Sequence, residues 1–560
     1  MSATGIYGLS GSGIDVESMV KVGMMTKQSQ YDKLYKKEVK NEWVKEAYSS
    51  VYSDLQTFNS STMSSYKMSS KTNPMLASST TSTVATATAN ADAASMSHSV
   101  TVTQLASNAY MQSTKAITRA ASTTDSTSTS IYLKDVLYNA TDLATQESNY
   151  SSMSDDDKTK TALSFTISDG ASGGTGTNTE TISFTYKDLF ESNQTLNDLA
   201  SKIKNSGANI NAQYDSTNDS FSLYNKSGGA ANQINISVTN DDSATSDDLA
   251  RTLLNNLNLG KVNTDNTSTE LADLTSSASS WSVSGQDAKA TIDGKTYTST
   301  TNKISASNVT YTLASTGTTN VTVSQDTDTL ISNVKQFVTD YNKMIDELNT
   351  KYNETQYSSY DVLTKSQESK MTADQITKWN EKAKSGLLYH DKNIASIISS
   401  MREAIYTPVA SVDSKYNTMM SIGITSSTDQ GHLRLDEDKL KKALADDPDS
   451  IRQLFASDGE TEDPKTGQYK TDYSQHGVIN RIYDGVSKNL VTMKGYAGTS
   501  TETSDGSTLG KLILELKTKM NNFKTQMDAY EDRLFKQYDA MEIAIQRLSA
   551  SMNYVNSSNN

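Results

Sequence analysis

Leu509-Gly510-Lys511-Leu512-Ile513-Leu514-Glu515-Leu516 opens the stretch whose reading decides the fold. From there apolar side chains recur at Leu509, Leu512, Leu516, Met520, Phe523, Met527, Tyr530, Leu534, Tyr538, Met541, Ile545, Leu548, Met552 and Val555, in steps of three or four throughout. Such spacing lines them up as one seam along a helix. Two runs of consecutive four-residue steps, through Leu512, Leu516 and Met520 and through Tyr530, Leu534 and Tyr538, are stutters that straighten a supercoil locally. Off the seam stand Lys517, Lys519, Lys524, Asp528, Glu531, Asp532, Lys536, Glu542 and Arg547, and neither Pro nor Gly follows Gly510. A helix with one apolar seam cannot bury it alone, so the pattern demands partner helices.

A matching helix is expected at the other end of the chain. Asp15 and Ser18 are candidate N-caps, and a helical period runs from there to about residue 64. Met19, Val20, Met24, Tyr31 and Leu34 mark its apolar side, followed by Tyr48, Val51, Leu55 and Phe58. Between residues 36 and 45 the seam thins to Val39, Trp43 and Val44. The simplest arrangement is α+β and multidomain: the long N- and C-terminal amphipathic helices pair as a coiled-coil or bundle leg, with β-rich head domains inserted between them.

The middle of the chain supports that insertion. After Pro74 the composition turns to Ser, Thr and Ala, and residues 97–103 alternate with period two, as a half-buried strand does. Further short alternating runs lie at 163–167, 180–186, 208–214, 221–224, 234–238, 288–292, 309–313 and 319–323, with helical interruptions at 188–205 and 247–257. The helical period returns from residue 328 (Leu330, Ile331, Val334, Phe337, Val338, Tyr341, Met344, Ile345, Leu348) and again at 392–405. Short strands at 422–425 and 433–435, helices from Asp436 and Pro448, and a polar loop at 499–507 complete the chain. The resulting division is 1–42, a terminal leg segment with a flexible start; 43–78, a helix of the leg domain; and 79–160 with 281–326, one β-rich head domain. A second β-rich head domain at 161–280, a helical leg domain at 327–510 and a C-terminal coiled-coil helix at 511–560 follow.

Composition narrows the function. The 560 residues allow roughly three to five domains. A net charge of −14 with no basic tract argues against nucleic acid as a partner. There is no cysteine, hence no disulfide framework and no thiol chemistry. Residues 1–20 lack the basic and apolar regions of a secretory signal, and no stretch reaches the ~20 apolar residues of a membrane span. Gly8-Leu9-Ser10-Gly11-Ser12-Gly13 has neither the preceding strand nor the Lys-Ser/Thr of a phosphate loop.

The four histidines, His98, His390, His432 and His476, are too far apart for a metal motif. Asp155-Asp156-Asp157 and Asp241-Asp242 read as solvated faces, and Asp446-Asp447 as a helix start before Pro448. Asp215 to Asp219 mimics a calcium loop but has Ser220 and Lys226 where glycine and glutamate are required. Catalytic residues, cofactors and metals are therefore all expected to be none, and the chain is read as a non-enzyme.

Ordered motifs carry a resemblance. Gly11-Ser12-Gly13-Ile14-Asp15-Val16 before the first helix is one, and Ser99-Val100-Thr101-Val102-Thr103-Gln104-Leu105-Ala106 another. Ala208-Asn209-Ile210-Asn211-Ala212-Gln213-Tyr214-Asp215 resembles the small repeat of flagellins and hook proteins. Later come Val323-Ser324-Gln325-Asp326-Thr327-Asp328 leading to Phe337-Val338-Thr339-Asp340-Tyr341-Asn342, then Ser421-Ile422-Gly423-Ile424-Thr425. Gly431-His432-Leu433-Arg434-Leu435-Asp436, Asp447-Pro448-Asp449 and Leu454-Phe455 close the series. In this order they resemble the flagellar hook-associated protein 2 family, the caps of bacterial flagellar filaments. Head length and the polar segment 351–386 depart from the family pattern.

The resemblance implies a ring-like homo-oligomer, usually a pentamer, at the extracellular flagellum tip. It implies partners in flagellin, the hook–filament junction proteins and a flagellar export chaperone, with export by the type III route and no Sec signal. Neither nucleic-acid binding nor membrane insertion is implied. The C-terminal seam and the N-terminal one (Met24, Tyr31, Leu34, Tyr48, Val51, Leu55, Phe58) become the partner-helix surfaces. Two alternatives stay open: an adhesin binding host or mucus glycans through Tyr132, Tyr138, Tyr150, Tyr186 or Trp281 of the head, and a flagellin or hook-junction structural protein.

Overall fold

The structure is a computed structural model that describes residues 15–119, 130–170, 178–238, 244–263, 267–275, 277–427, 430–462, 469–499 and 505–558. The glycine-rich start, Asp241-Asp242 and most of the 499–507 loop lie outside the described residues. The chain forms two units. One combines the described residues before 75 with those after 325, and the other is Met75–Gln325.

The longer helices of the first unit are α1 (Val16–Thr57), α2 (Thr327–Tyr352), α3 (Lys392–Tyr406), α4 (Val478–Ala497) and α5 (Thr508–Ser558). α1 starts where Asp15 accepts the Ser18 N–H at 3.0 Å and runs on into a π-helical turn, Phe58–Met63, that buries both of its end residues. The apolar period of α2 is its buried face, and Phe337 meets Tyr66 edge to face with ring centres 5.7 Å apart. Each such fully buried side chain contributes roughly 1.5–3 kcal/mol of hydrophobic stabilisation.

Polar ties hold the helix ends. The Asp391 carboxylate caps α3 through the N–H groups of Asn393 and Ile394 and also accepts the Tyr48 hydroxyl at 2.5 Å. At the opposite end of α3, Arg481 donates to the carbonyls of the C-cap Thr407 (2.6 Å) and of Pro408 (3.0 Å), and to that of Ser474 (2.7 Å) in strand Tyr469–His476, so it ties the helix end to the strand.

α4 lies where no separate helix is expected from the sequence. Its buried Val478, Ile479, Ile482, Val486, Leu490 and Met493 do have helical spacing between Gly477 and Gly498, so the signal was present. The polar segment 351–386 carries two short helices, Lys365–Glu368 and Ala373–Lys384, each opened by a Thr/Gln capping box. Gly423 sits at φ 95°, and a Cβ there would lie 2.7 Å from the Asp436 carbonyl, so the Ile422-Gly423-Ile424 turn admits only glycine. Asn342 brackets Leu433, donating to its carbonyl (2.9 Å) and accepting its N–H (2.7 Å), which ties together two of the family-like motifs.

The second unit holds two β cores. In the first, an antiparallel sheet runs Met75–Ser79, Gly317–Gln325, Ser97–Gln104, Ala288–Ile292, Lys295–Ser299, and a smaller sheet joins Lys303–Ala306, Val309–Leu313 and Ala85–Ala89. Asp293 and Gly294, both at positive φ, make the two-residue turn between Ala288–Ile292 and Lys295–Ser299.

In the second core, one sheet runs Ser268–Glu270, Leu259–Val262, Asn108–Ser113, Ser220–Gly228, Ile210–Asp215, and another runs Ser280–Ser284, Asn232–Ser237, Thr161–Gly170, Thr179–Thr185. Helix Leu196–Lys204 packs on strand Ile210–Asp215, and Ala244–Asn256 on strand Thr161–Gly170. The expected interruption at 188–205 is two helices, Tyr186–Phe190 and Leu196–Lys204, each with a Thr/Asp capping box.

One boundary is corrected. The described residues 108–119 and 130–160, assigned from sequence to the first head domain, go with the second core: Ala109 and Met111 are fully buried there, and strand Asn108–Ser113 is central in its sheet. The chain crosses between the cores at Ser107 and returns at Gln286, where the two residues exchange backbone hydrogen bonds of 2.9 and 3.0 Å. Gly285 is required there, since a Cβ would stand 2.5 Å from the Gly229 carbonyl.

Candidate assembly interface

α1 and α5 run antiparallel along each other. Of the seam read from α5, Leu509, Leu516, Met520, Met527 and Leu534 are buried. Leu512, Phe523, Tyr530, Tyr538 and Ile545 are half-buried, while Met541, Leu548, Met552 and Val555 are exposed. On α1, Tyr48, Val51, Leu55 and Phe58 are buried in the main core of this unit, and Met24, Tyr31 and Leu34 are half-buried. Ile513, which the seam reading passed over, is more buried than Leu512, because α4 also packs on the start of α5.

Four contacts mark the pairing, in antiparallel order. At Gly23 a Cβ would lie 2.8 Å from Leu534 Cδ1, so the missing side chain is what lets Leu534 seat; glycine costs a helix interior about 1 kcal/mol relative to alanine, and this close approach is its reason. The Lys27 ammonium lies 5.7 Å from the Phe523 ring centre and 5.9 Å from that of Tyr530. Lys517 Nζ reaches Glu38 at 3.3 Å and Glu42 at 2.6 Å. Last, Lys45 pairs with Asp505 just before α5 begins.

Lys517 lies off the seam by sequence, yet it is the charge that crosses to α1. Glu38 is only 5% exposed, and burial, followed by the neighbouring Glu42, pushes its carboxyl above the usual range. The bond to Glu42 holds the Lys517 ammonium above its ordinary value. Burial works against ionisation of Asp505 too, but Lys45 and Ser507 outweigh it and hold that carboxyl low.

The thin part of the α1 seam, residues 36–45, is covered from a second side by segment 351–386. Lys36 pairs with Asp361 (3.1 Å), Lys384 with Glu46 (2.9 Å), and Trp379 Nε1 donates to the Asp361 carbonyl (2.7 Å). Val362 and Leu363 are buried beside these contacts.

Moving seven residues back from Gly23 to Val16, the antiparallel register reaches residue 541 on α5. Beyond that point Leu548 is 65% and Met552 60% exposed. Val22 and Met25, on the outer side of α1, are exposed as well.

Among the other candidate side chains, three of the four histidines pair with carboxylates. His98 is buried and bonded to Asp293 (2.7 Å), His432 to Asp346 (2.5 Å) and His476 to Asp484 (3.1 Å), while His390 stacks on Tyr352. Trp281 is buried with its indole N–H on the Ala272 carbonyl (2.7 Å). Tyr138 and Tyr150 stack on Phe190, Tyr186 is half-buried, and Tyr132 is exposed. Among the described residues, no group of three His, Asp or Glu side chains could hold a metal, and no helix is long and apolar enough to cross a membrane.

Family comparison matches both ends of the chain. The model of the flagellar hook-associated protein 2 C-terminus covers residues 285–550, and that of the flagellar hook-associated protein 2 N-terminus covers residues 12–109. The chain belongs to the flagellar hook-associated protein 2 family. It is 29% identical to flagellar hook-associated protein 2 of Halalkalibacterium halodurans over 96% of this chain and 97% of that one. The A-type flagellar hook-associated protein 2 of Pseudomonas aeruginosa is 26% identical over 53% of this chain and 54% of its own. Among solved structures, the flagellar cap protein FliD D1-D2-D3 domains from Escherichia coli align with a TM-score of 0.47 and 18% identity, covering 84% of this chain and 99% of that one.

Proposed function

We propose that this protein is a structural and assembly component that caps the distal end of a bacterial flagellar filament. In this reading several copies form a ring outside the cell, retain exported flagellin and guide its insertion. The observation that carries the reading is the near full-length likeness to a flagellar hook-associated protein 2, which includes both terminal segments and the domains between them. The pairing of those terminal segments supports it, because α5 also presents Leu548 and Met552 to the surroundings. An apolar helical stripe of that kind docks on the helices of other subunits by knobs-into-holes packing. The ring, flagellin and an export chaperone are the partners this reading requires.

Electron microscopy of a strain lacking the protein, with flagellin measured in the culture supernatant, tests the reading. Bare hooks and monomeric flagellin in the medium are expected. Full-length filaments in that strain would remove the cap assignment.

A further inference from the structure

We infer that the α1–α5 pair is locked into one polarity and one register by two separate pins, a steric one at Gly23 and an ionic one at Lys517. The apolar seam does not select a register by itself. Leu, Met, Phe and Tyr at three-and-four spacing let one helix slide a heptad along the other while most apolar contacts re-form.

The two pins remove that freedom. Leu534 seats where Gly23 leaves no Cβ, and a Cβ at that position would come within 2.8 Å of its Cδ1. Lys517 is held between Glu38 and Glu42, one turn apart on α1, at 3.3 and 2.6 Å. A slide or a reversal of α5 leaves the enclosed Glu38 without its counter-charge, and a buried carboxylate without a partner is strongly disfavoured.

The pins stand roughly 22 Å apart on α1 (Gly23 to Glu38) and roughly 25 Å apart on α5 (Lys517 to Leu534), at about 1.5 Å per residue. Two pins at matched separations favour the same direction and offset, so each reinforces the other. Lys45 with Asp505 extends the same antiparallel order to the start of α5. The role of Lys517 is thus to specify α1 as the partner of a helix whose seam is chemically generic. This inference stands apart from the cap reading, since its test uses purified protein and no filament.

The chain contains no cysteine, so the full-length double variant G23C/L534C reports register with a short bis-maleimide and no background. That pair also opens the steric pin, leaving Lys517 to hold the register. Cross-linking is expected to be rapid in the parent, about tenfold slower with K517E, and within about twofold of the parent rate when E38K and E42K reverse the whole triad. K517Q, which introduces no repulsion, is expected to slow the reaction about threefold and carries the test if K517E loses helix content by circular dichroism. Cross-linking of K517Q at the parent rate would overturn the ionic pin. So would a reversed triad that keeps the parent's helix content and unfolding midpoint yet fails to recover its cross-linking rate.

Discussion

Residues 509–534 and 541–555 belong to the same helix and share the same apolar spacing, yet they are buried to different degrees. The first segment lies against α1 and, at Leu509, enters the main core of its unit. The second carries Leu548 and Met552 mostly exposed. Periodicity tells which side of a helix is apolar, whereas burial depends on what the rest of the chain places opposite. In this helix the seam is buried at Leu509, Leu516, Met520, Met527 and Leu534 and exposed at Leu548 and Met552.

Substitutions along the helix should separate the halves. Leu509→Ala creates a cavity in the core and is expected to lower stability by about 2–5 kcal/mol in urea unfolding. Leu534→Ala, in a two-helix contact that can partly relax, should cost about 2–3 kcal/mol, again read by urea. If the two losses were equal, the pair would be as rigidly packed at Gly23 as in the core. Leu548→Ala should stay within ~0.5 kcal/mol of the parent. Leu548→Asp should likewise leave unfolding unchanged while raising flagellin in the culture medium. Wild-type filaments with L548D would separate the exposed stripe from assembly.

The pH response should be the smallest effect and should have two signs. The Glu38 carboxyl is raised in the folded protein, so folding takes up a proton and stability increases as pH falls toward the ordinary glutamate value of about 4.3. Asp505 and Asp447 are held low, by Lys45 with Ser507 and by Ser450 respectively, so their contribution is complete above about pH 4 and is lost as pH falls through their depressed values. Unfolding midpoints between pH 7 and 3 should therefore rise slightly and then fall. E38Q should remove the rise and D505N should weaken the fall.

Much of the helical unit was legible because its signals are local. Asp15, Asp391 and Asp447 cap helices where short polar residues precede an apolar period, and the α2 period is its buried face. α4 was equally periodic and was passed over amid strand-like and polar neighbours. What could not be read is pairwise. Nothing in the sequence says that Lys517, among several lysines off the seam, meets Glu38, or that Gly23 is a seat for Leu534. The head boundary failed for a related reason. Strand Asn108–Ser113 follows the first-core strand Ser97–Gln104 closely in sequence, but its partners come from 220–228 and 259–262, over a hundred residues later. Thr- and Ser-rich strands carry little hydrophobic contrast to show which core they serve.

The hydrogen-bonded meeting of Ser107 and Gln286 bears on how such a chain can change over generations. The chain leaves the first β core at Ser107 and re-enters it at Gln286, so the ends of the second core are already joined in space. Removing or exchanging that cassette would require almost no new loop closure, and a long insertion costs a closed junction little more than a short one. The second β core is therefore the part of the chain whose length and surface could change while the Ser107–Gln286 closure of the first core stays as it is.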